Sequence, residues 1–510
     1  MARRTTKPKI MKPGLLPAPA SGITVRMYNP GFGDCLLLAF RAEDGSPRYL
    51  LIDCGAHHRY PDRTTRLQKI AKDIAIATNS HLHVVAGTHE HTDHLDGFRL
   101  ASDTFKTIQI DDLWLAWTED PDDPIAKELR QKYDKQIRAM FGAVSQLRAA
   151  GQSSAESLGA LMDFEYNQGV RMGVDGADGA NDAPIPFLRE RATRKLLRSQ
   201  DYLRPGQPPL TLPGVKGVRV YVFGPPVTPS MLRLLERSSE LYPEMAVASE
   251  SDAFAAAVVA ADGSTPMSPD DQDAYENSRP FNDNYRIDLK DAPQHADYGR
   301  FFTTHYGISG EDDAGTGWRR IDTDWLGAGD NMALSINTYT NNTSLVLAFE
   351  LTDSTPRKVL LFAADAQTGN WLSWQDLSWP GAGPAGETVT ASDLLERIVL
   401  YKVGHHGSRN ATLSQKGLEL MDQPGLVAMI PVDQKWALEA MHWEHPAEKL
   451  LARLEQKASG RVIRTDQIPS GSQLPPQPAG LPEAEWKNFL QHLTWDNSPD
   501  ALWIQFTVPA

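Results

Sequence analysis

Three imidazoles and a carboxylate fall within six residues of this chain, at His89, His91, Asp93 and His94, inside the run Thr88-His89-Glu90-His91-Thr92-Asp93-His94-Leu95-Asp96-Gly97. The run follows directly on the apolar stretch 83–86. In an extended segment His89 and His91 point to one side, and Asp93 and His94 come where the chain turns into a helix, so four nitrogen and oxygen donors converge. Such a set suffices for two metal ions. Packed together without metal, the same groups would desolvate one another at a cost that nothing offsets.

Donors of this kind need a rigid frame, and the flanking sequence supplies strands. Short apolar runs at 25–27, 35–40, 49–52 and 83–86, separated by Gly, Pro and Asp, predict buried strands. The texture returns at 218–223, where Gly224-Pro225-Pro226 stops it, and at 344–349, 359–362, 398–401 and 426–430. Strands therefore form two clusters, one before about residue 118 and one after about residue 217. Between them Ile125, Leu129, Tyr133, Ile137, Phe141, Val144 and Leu147 recur at steps of three or four, which predicts a long amphipathic helix. Residues 174–184 and 246–330 are rich in Gly, Asp, Ser and Pro and predict inserted loops. Residues 1–21 carry cations, four prolines and no acid, which predicts a disordered basic arm. The Pro-rich stretch 468–482 predicts a linker to a C-terminal extension, whose run at 503–508 reads as an edge strand.

Composition narrows the function classes. Apolar residues at 41% and charged residues at 23% exclude whole-chain disorder and a fibrous repeat. Lys+Arg 51 against Asp+Glu 65 gives −14, which argues against coating nucleic acid through the overall field, though not against a local basic groove. No apolar run approaches the roughly 18 residues of a membrane span, and the first residues lack the apolar core of a secretion signal. Cys35 and Cys54 make no disulfide framework. Together these features predict a cytoplasmic protein with no membrane partner.

The run at 88–97 matches a His-x-His-x-Asp-His signature, and the chain resembles the metallo-β-lactamase fold hydrolases. It is most similar to the bacterial branch that holds the hydrolase domain of DNA-uptake competence proteins and the phosphorylcholine esterases. Four further matches carry that resemblance. Gly31-Phe32-Gly33-Asp34 before a strand resembles the Gly-x-Gly-Asp turn, and Leu51-Ile52-Asp53-Cys54-Gly55 the Asp-x-Gly strand end. Asn342-Thr343-Ser344, followed by Leu361-Phe362-Ala363-Ala364-Asp365-Ala366, resembles the hairpin ending in the metal-bridging aspartate. Lys402-Val403-Gly404-His405-His406-Gly407-Ser408 resembles the His-His-Gly-Ser element. The likeness covers about 23–118, 202–226 and 330–466, and it departs at Ala363-Ala364-Asp365, where the family carries Thr-Gly-Asp.

The resemblance implies an α/β fold, an αββα sandwich of two mixed sheets with helices outside. The domain would span 22–466, with long insertions at about 119–201 and 227–330, and residues 467–510 would form the linker and extension. It implies two divalent ions bridged by Asp365 and a hydroxide. Zinc is favoured for this donor set, ahead of manganese or iron. The implied ligands are His89, His91, Asp93, His94, Asp365, His405 and His445, with Asp93 and Asp365 the catalytic carboxylates. His405 is preferred to His406 because it comes first after the strand at 398–401, which leaves His406, Ser408 and Arg409 to face substrate. His445 is preferred to His442 because Pro446 suits a first helical position and puts His445 at the cap. Asp34 and Asp53 read as acceptors for the second ring N–H of ligating histidines. His57 and His58 read as solvent-facing loop residues, and His81 and His83 as structural.

Metal-dependent hydrolysis is the expected activity, with phosphodiester bonds first and a nuclease as one form of it. Lys402 and Arg409 beside the His-His-Gly-Ser turn supply cations for a phosphate. Hydrolysis of a small ester, lactone or amide is the alternative, and it fits the acidity better. A non-catalytic protein, with structural metals and insertions that bind a protein partner, ranks last, because a structural metal closes its coordination with four protein ligands.

Overall fold

The computed structural model describes residues 14–149, 183–234, 287, 291–307, 337–471 and 473–510. The start of the basic arm at 1–13 and most of the insertion loops lie outside the described residues, as do the side chains of Phe141 and Leu147 on the helix Pro124–Ala149. The chain divides into two compact units. One comprises Met1–Leu129, Asp163–Ala246 and Asn337–Ala510, and the other Arg130–Met162 and Val247–Ile336. The described part of the second unit includes the helix Gly299–Tyr306. The candidate site residues among the described residues lie in the first unit.

That unit is built on strands β1 (Ile23–Tyr28), β2 (Leu36–Arg41), β3 (Pro47–Ile52), β4 (His81–Ala86), β5 (Gln109–Trp114), β6 (Val218–Gly224), β7 (Val346–Leu351), β8 (Lys358–Phe362), β9 (Ser378–Trp379), β10 (Val389–Thr390), β11 (Ile398–Lys402), β12 (Val427–Ile430), β13 (Val462–Arg464), β14 (Leu493–Trp495) and β15 (Trp503–Val508). Seven form one mixed sheet in the order β14-β15-β1-β2-β3-β4-β5, and six form another, β13-β12-β11-β8-β7-β6. Alternate residues of both sheets meet in one core. Val25, Met27, Leu36, Leu38 and Phe40 come from the first sheet, and Val220, Val222, Leu347, Phe349 and Leu360 from the second. On β2, β7, β8 and β12 the opposite residues are buried too, which is why these strands read as continuous apolar runs and not as alternating ones. Outside the first sheet lie helices α1 (Arg63–Ala77), α2 (Thr92–Leu100) and α3 (Ser102–Phe105). Outside the second lie Thr368–Ser373, Ala391–Leu395, Gln434–Met441 and Glu448–Lys457. This α/β arrangement of two mixed sheets with outer helices is compatible with an αββα sandwich. No helix among the described residues is long and apolar enough to cross a membrane.

The run at 503–508 is not an edge strand. β15 lies between β14 and β1, pairing antiparallel with both, from Ile23↔Val508 to Tyr28↔Trp503 on one side and through Leu493↔Phe506 on the other. Its Ile504, Phe506 and Val508 enter the shared core, so the last residues complete the first sheet. His81 and His83 have structural partners: His81 Nε2 is 2.7 Å from Asp111 Oδ2, and Tyr49 N–H donates to His83 Nδ1 at 3.1 Å.

Parallel pairing sets where chemistry can gather. β3 and β4 run parallel with Ile52 opposite Ala86, and β8 and β11 run parallel with Phe362 opposite Lys402. The loops leaving four strands therefore emerge together, the usual place for a ligand site in α/β sheets. Leu345 N–H donates to the Thr88 carbonyl at 3.0 Å and ties the two sheets at this end.

Candidate metal centre

The segment after β4 stays extended through His89 and enters α2 with His91 as its N-cap residue, so Asp93 and His94 occupy the first helical turn. Glycine lets α2 lie against the end of β3. A Cβ on Gly55 would stand 2.3 Å from the Asp93 carbonyl carbon and the His94 nitrogen, a contact no side chain tolerates. Three backbone bonds lock the approach: Asp34 N–H to Asp93 O (2.8 Å), Cys54 N–H to His94 O (2.7 Å) and Gly97 N–H to Cys54 O (2.8 Å).

Asp53 then orients two histidines. Its carboxylate accepts from Thr88 N–H at 2.9 Å, from the Thr88 hydroxyl at 2.7 Å and from His94 Nδ1 at 2.8 Å. His94 Nε2 therefore faces inward, 3.1 Å from Asp365 Oδ2. The Thr88 hydroxyl, its proton given to Asp53, accepts from His89 Nδ1 at 3.0 Å, which turns His89 Nε2 toward His91 Nδ1 at 3.0 Å and Asp365 Oδ2 at 4.0 Å. A carboxylate holding the outer nitrogen of a ring fixes its tautomer and raises its basicity toward a metal.

Asp34 does not act in this way. It stands 3.8 Å from His94 Nδ1 and 3.7 Å from His406 Nδ1, too far for hydrogen bonds, and both ring N–H groups are used elsewhere. Its partner is the Lys402 ammonium. Lys402 is 1% exposed, donates to the Ala364 carbonyl at 3.0 Å and lies 3.9 Å from Asp365 Oδ1. It is an internal cation and cannot meet a substrate phosphate.

The turn Gly404–Gly407 carries both histidines at positive φ, 44° at His405 and 52° at His406. This handedness decides which ring enters the cluster. His406 Nδ1 donates to the Pro431 carbonyl at 2.7 Å, leaving Nε2 3.1 Å from Asp93 Oδ2. Asp93, His94, Asp365 and His406 form one group whose donor atoms lie within 4.8 Å of one another, and His89, His91 and Asp365 form a second. His405 and His445 belong to neither group. His405 Nε2 is 3.8 Å from Asp365 Oδ2, and Gln367 Nε2 lies 3.3 Å from its Nδ1. The His445 ring is 5.5 Å from that of His405. Pro446 is not at a first helical position, because the following helix starts at Glu448 with Ala447 as its cap residue. His442 is exposed at the end of the helix Gln434–Met441. Ser408 and Arg409 sit half-buried at the turn. His57 is fully buried against Phe32, Trp436 and Trp443 and does not face solvent; burial, then His58, brings its pKa down to about 3. His58 is partly buried beside it.

Among the described residues four carboxylates, Asp34, Asp53, Asp93 and Asp365, are buried here with one ammonium, Lys402, which leaves three negative charges in excess if the imidazoles are neutral. Without metal, protons answer that charge. Burial would lower the pKa of His94, but Asp365, Asp34, Asp53 and Asp93 hold it well above the usual value. Burial is likewise outweighed at His406, by its bond to Asp93 and by the charge of Asp365 and Asp34. His89, by contrast, is pushed well below by burial and by His94 and His91. Both Asp365 oxygens and His94 Nε2 remain buried without a hydrogen-bond partner. Orphaned lone pairs in a donor set of imidazole and carboxylate suit a divalent cation, so these buried groups can hold a metal ion.

Ala364, the residue before Asp365, has φ 48°, where the related motif carries glycine. Left-handed backbone costs an alanine about 1–2 kcal/mol, and glycine returns part of that gain as unfolded-state entropy. Ala364→Gly should therefore raise stability by about 0.5–1 kcal/mol, seen as a higher urea midpoint at unchanged slope. A lower midpoint would contradict the strain.

Sequence reasoning passed over Thr88, Ser344 and Gln367 as working groups. Ser344 accepts from Asp365 N–H at 3.2 Å and lies 3.4 Å from His89 Nδ1. The quoted runs contain Thr88 and Ser344, but small polar residues beside a ligand give no signal of their own. Comparison with protein-family models, with curated proteins and with solved structures finds no match.

Proposed function

We propose that this chain is a metal-dependent hydrolase of the metallo-β-lactamase type. The observation that carries the reading is the convergence of His89, His91, Asp93, His94, Asp365 and His406 in two adjoining groups that share the buried carboxylate of Asp365. His89, His91 and Asp365 would hold one ion, and Asp93, His94, Asp365 and His406 the other, with His406 in the role that sequence order gave to His405. Charge supports two ions: one divalent cation leaves the buried groups negative, whereas two leave a single positive charge for an anionic nucleophile or a developing oxyanion. Bound there, such ions would supply Lewis acidity and a nucleophile at neutral pH. Zinc suits the donors, and elemental analysis separates it from manganese and iron. Asp53 and the Pro431 carbonyl keep the ring N–H groups turned outward, while Lys402 holds Asp34 and the Ala364 carbonyl in place.

Phosphodiesters are the first substrate class to try. Because Lys402 is internal, Arg409 alone remains of the two cations expected to bind phosphate, and this favours small esters, lactones or amides as the second reading. Assaying metal-loaded protein on a bis-aryl phosphodiester and an aryl ester panel separates the two. Silence on both, with metal bound, would favour the partner-binding alternative.

Metal uptake should be pH-dependent. The surrounding carboxylates raise the pKa values of His94 and His406 in the metal-free protein, so protons compete with metal for two groups that must be deprotonated to ligate. Loading should release protons in lightly buffered solution, and affinity should fall as pH is lowered from 8 to 6. Proton-free uptake with pH-independent affinity would exclude these two ligands.

A further inference from the structure

Lys402 and Asp34 form an ion pair inside a site that must attract cations, and their places in the fold show what the pair joins. Asp34 belongs to the loop between β1 and β2. Its N–H donates to the Asp93 carbonyl at 2.8 Å and its carbonyl accepts from Gly55 N–H at 3.0 Å, so its backbone is fixed to the segments that carry Asp93 and Asp53. Lys402 ends β11, in the other sheet. Its ammonium donates to the Ala364 carbonyl at 3.0 Å, where His405 N–H also donates at 3.0 Å, and so grips the left-handed turn that leads into Asp365. The pair ties the half of the site that follows β3 and β4 to the half that follows β8.

Stability does not account for this pair. Both side chains are 1% exposed, and a buried ion pair can often be replaced by neutral groups at little cost or with a gain. Affinity for cations does not account for it either, because an ammonium beside the site repels them. The Asp365 carboxylate shows what the ammonium does. His94 Nε2 at 3.1 Å, His405 Nε2 at 3.8 Å and His89 Nε2 at 4.0 Å face Oδ2, whereas Lys402 Nζ, at 3.9 Å, faces Oδ1. That separation is too long for a hydrogen bond, but unlike charges out of water attract strongly across it. Asp34, paired with the ammonium, keeps it from closing on Asp365.

We propose that Lys402 and Asp34 are a positioning pair for Asp365: the ammonium draws Oδ1 away from the imidazoles, and Asp34 holds the ammonium back, so that Oδ2 stays available to both ions. The inference rests on the metal-dependent reading above.

The test uses the full chain and two variants, Lys402→Met combined with Asp34→Asn, and Asp34→Asn alone. The double variant removes one charge of each sign, so the buried cluster keeps its net charge and a change in metal binding reports position and not field. The readouts are the melting temperature without metal, calorimetric titration with zinc, and the visible spectrum of the cobalt(II)-loaded protein. Without metal the double variant should melt close to wild type. It should bind a first ion as wild type does and hold the second about 10- to 100-fold more weakly, with a changed cobalt spectrum, because Asp365 can then give both oxygens to one ion. Asp34→Asn alone should weaken both ions, since the ammonium, no longer held, closes on Asp365. Two ions bound by the double variant with wild-type affinity and spectrum overturn the proposal, as does wild-type metal binding in Asp34→Asn. Should the double variant fail to fold, a crystal structure of the zinc-loaded wild type decides: Oδ1 turned to Lys402 with Oδ2 toward the ions supports the pair's role, and an ion on Oδ1 overturns it. A wild type that binds neither zinc nor cobalt defeats the metal-dependent reading itself, a result distinct from two ions held equally by wild type and double variant.

Discussion

Asp365→Asn should give a folded protein that holds less than its full complement of metal and has lost turnover by at least about 10³-fold. The asparagine keeps the size of the side chain but removes the negative charge that faces His94, His89 and His405. Asp365 is common to both donor groups, so its loss weakens both sites, whereas loss of His406 weakens one. The variant can also be distinguished from a folding defect. In the metal-free state the Asp365 charge faces His94 Nε2 at 3.1 Å and helps to hold the His94 pKa up, so the substitution removes a counter-charge there as well. The variant should still unfold cooperatively without metal, melting moderately below metal-free wild type, while metal raises its melting temperature far less than it raises that of wild type. Wild-type rate and metal content in Asp365→Asn would exclude the shared-carboxylate arrangement.

The site was legible where chemistry is local in sequence and obscure where it depends on pairing. His89, His91, Asp93 and His94 could be read together because one strand end and one helix start bring them together. Their convergence needs only the extended-to-helical switch at His91. Asp53 was legible as a supporting group, since a carboxylate at a strand end next to a parallel neighbour faces the loop that follows it. The choice between His405 and His406 was not, because two consecutive left-handed residues reverse the order that a strand end would give. Lys402 reads as a surface cation by composition. Only the register of β11 on β8, with Lys402 opposite Phe362, carries it inward to Asp34 and Ala364. Of the fold, long apolar strands were visible as runs. β5 escaped because Asp111 and Asp112 interrupt it, and β13 and β14 because three residues give too short a pattern. The alternation Ile504, Phe506 and Val508 marked a strand, but its place beside β1 is set by a partner nearly the whole chain away.

Removing metal should cost this protein a large part of its stability, and the loss should grow with pH. An ion present at about 1,000 times its dissociation constant contributes about 4 kcal/mol, so two contribute about 8 kcal/mol. At roughly 2 °C per kcal/mol for a unit of this size, chelation should lower the melting temperature by on the order of 15 °C. The pH dependence follows from the groups that replace metal. The pKa values of His94 and His406 are raised in the folded, metal-free state, so the stability they confer is fully present below their unfolded value of about 6.5. It is lost as pH rises through the raised folded values. Deprotonation then leaves Asp34, Asp53, Asp93 and Asp365 facing one another with only Lys402 between them. Metal binding tightens over the same range, because its competing protons have left. Melting curves with and without chelator at pH 6 and pH 8.5 should therefore diverge, the gap being wider at pH 8.5. A gap that closes as pH rises would mean that the buried carboxylates find their compensation elsewhere, and equal curves at both pH values would mean that no ion stabilises the fold.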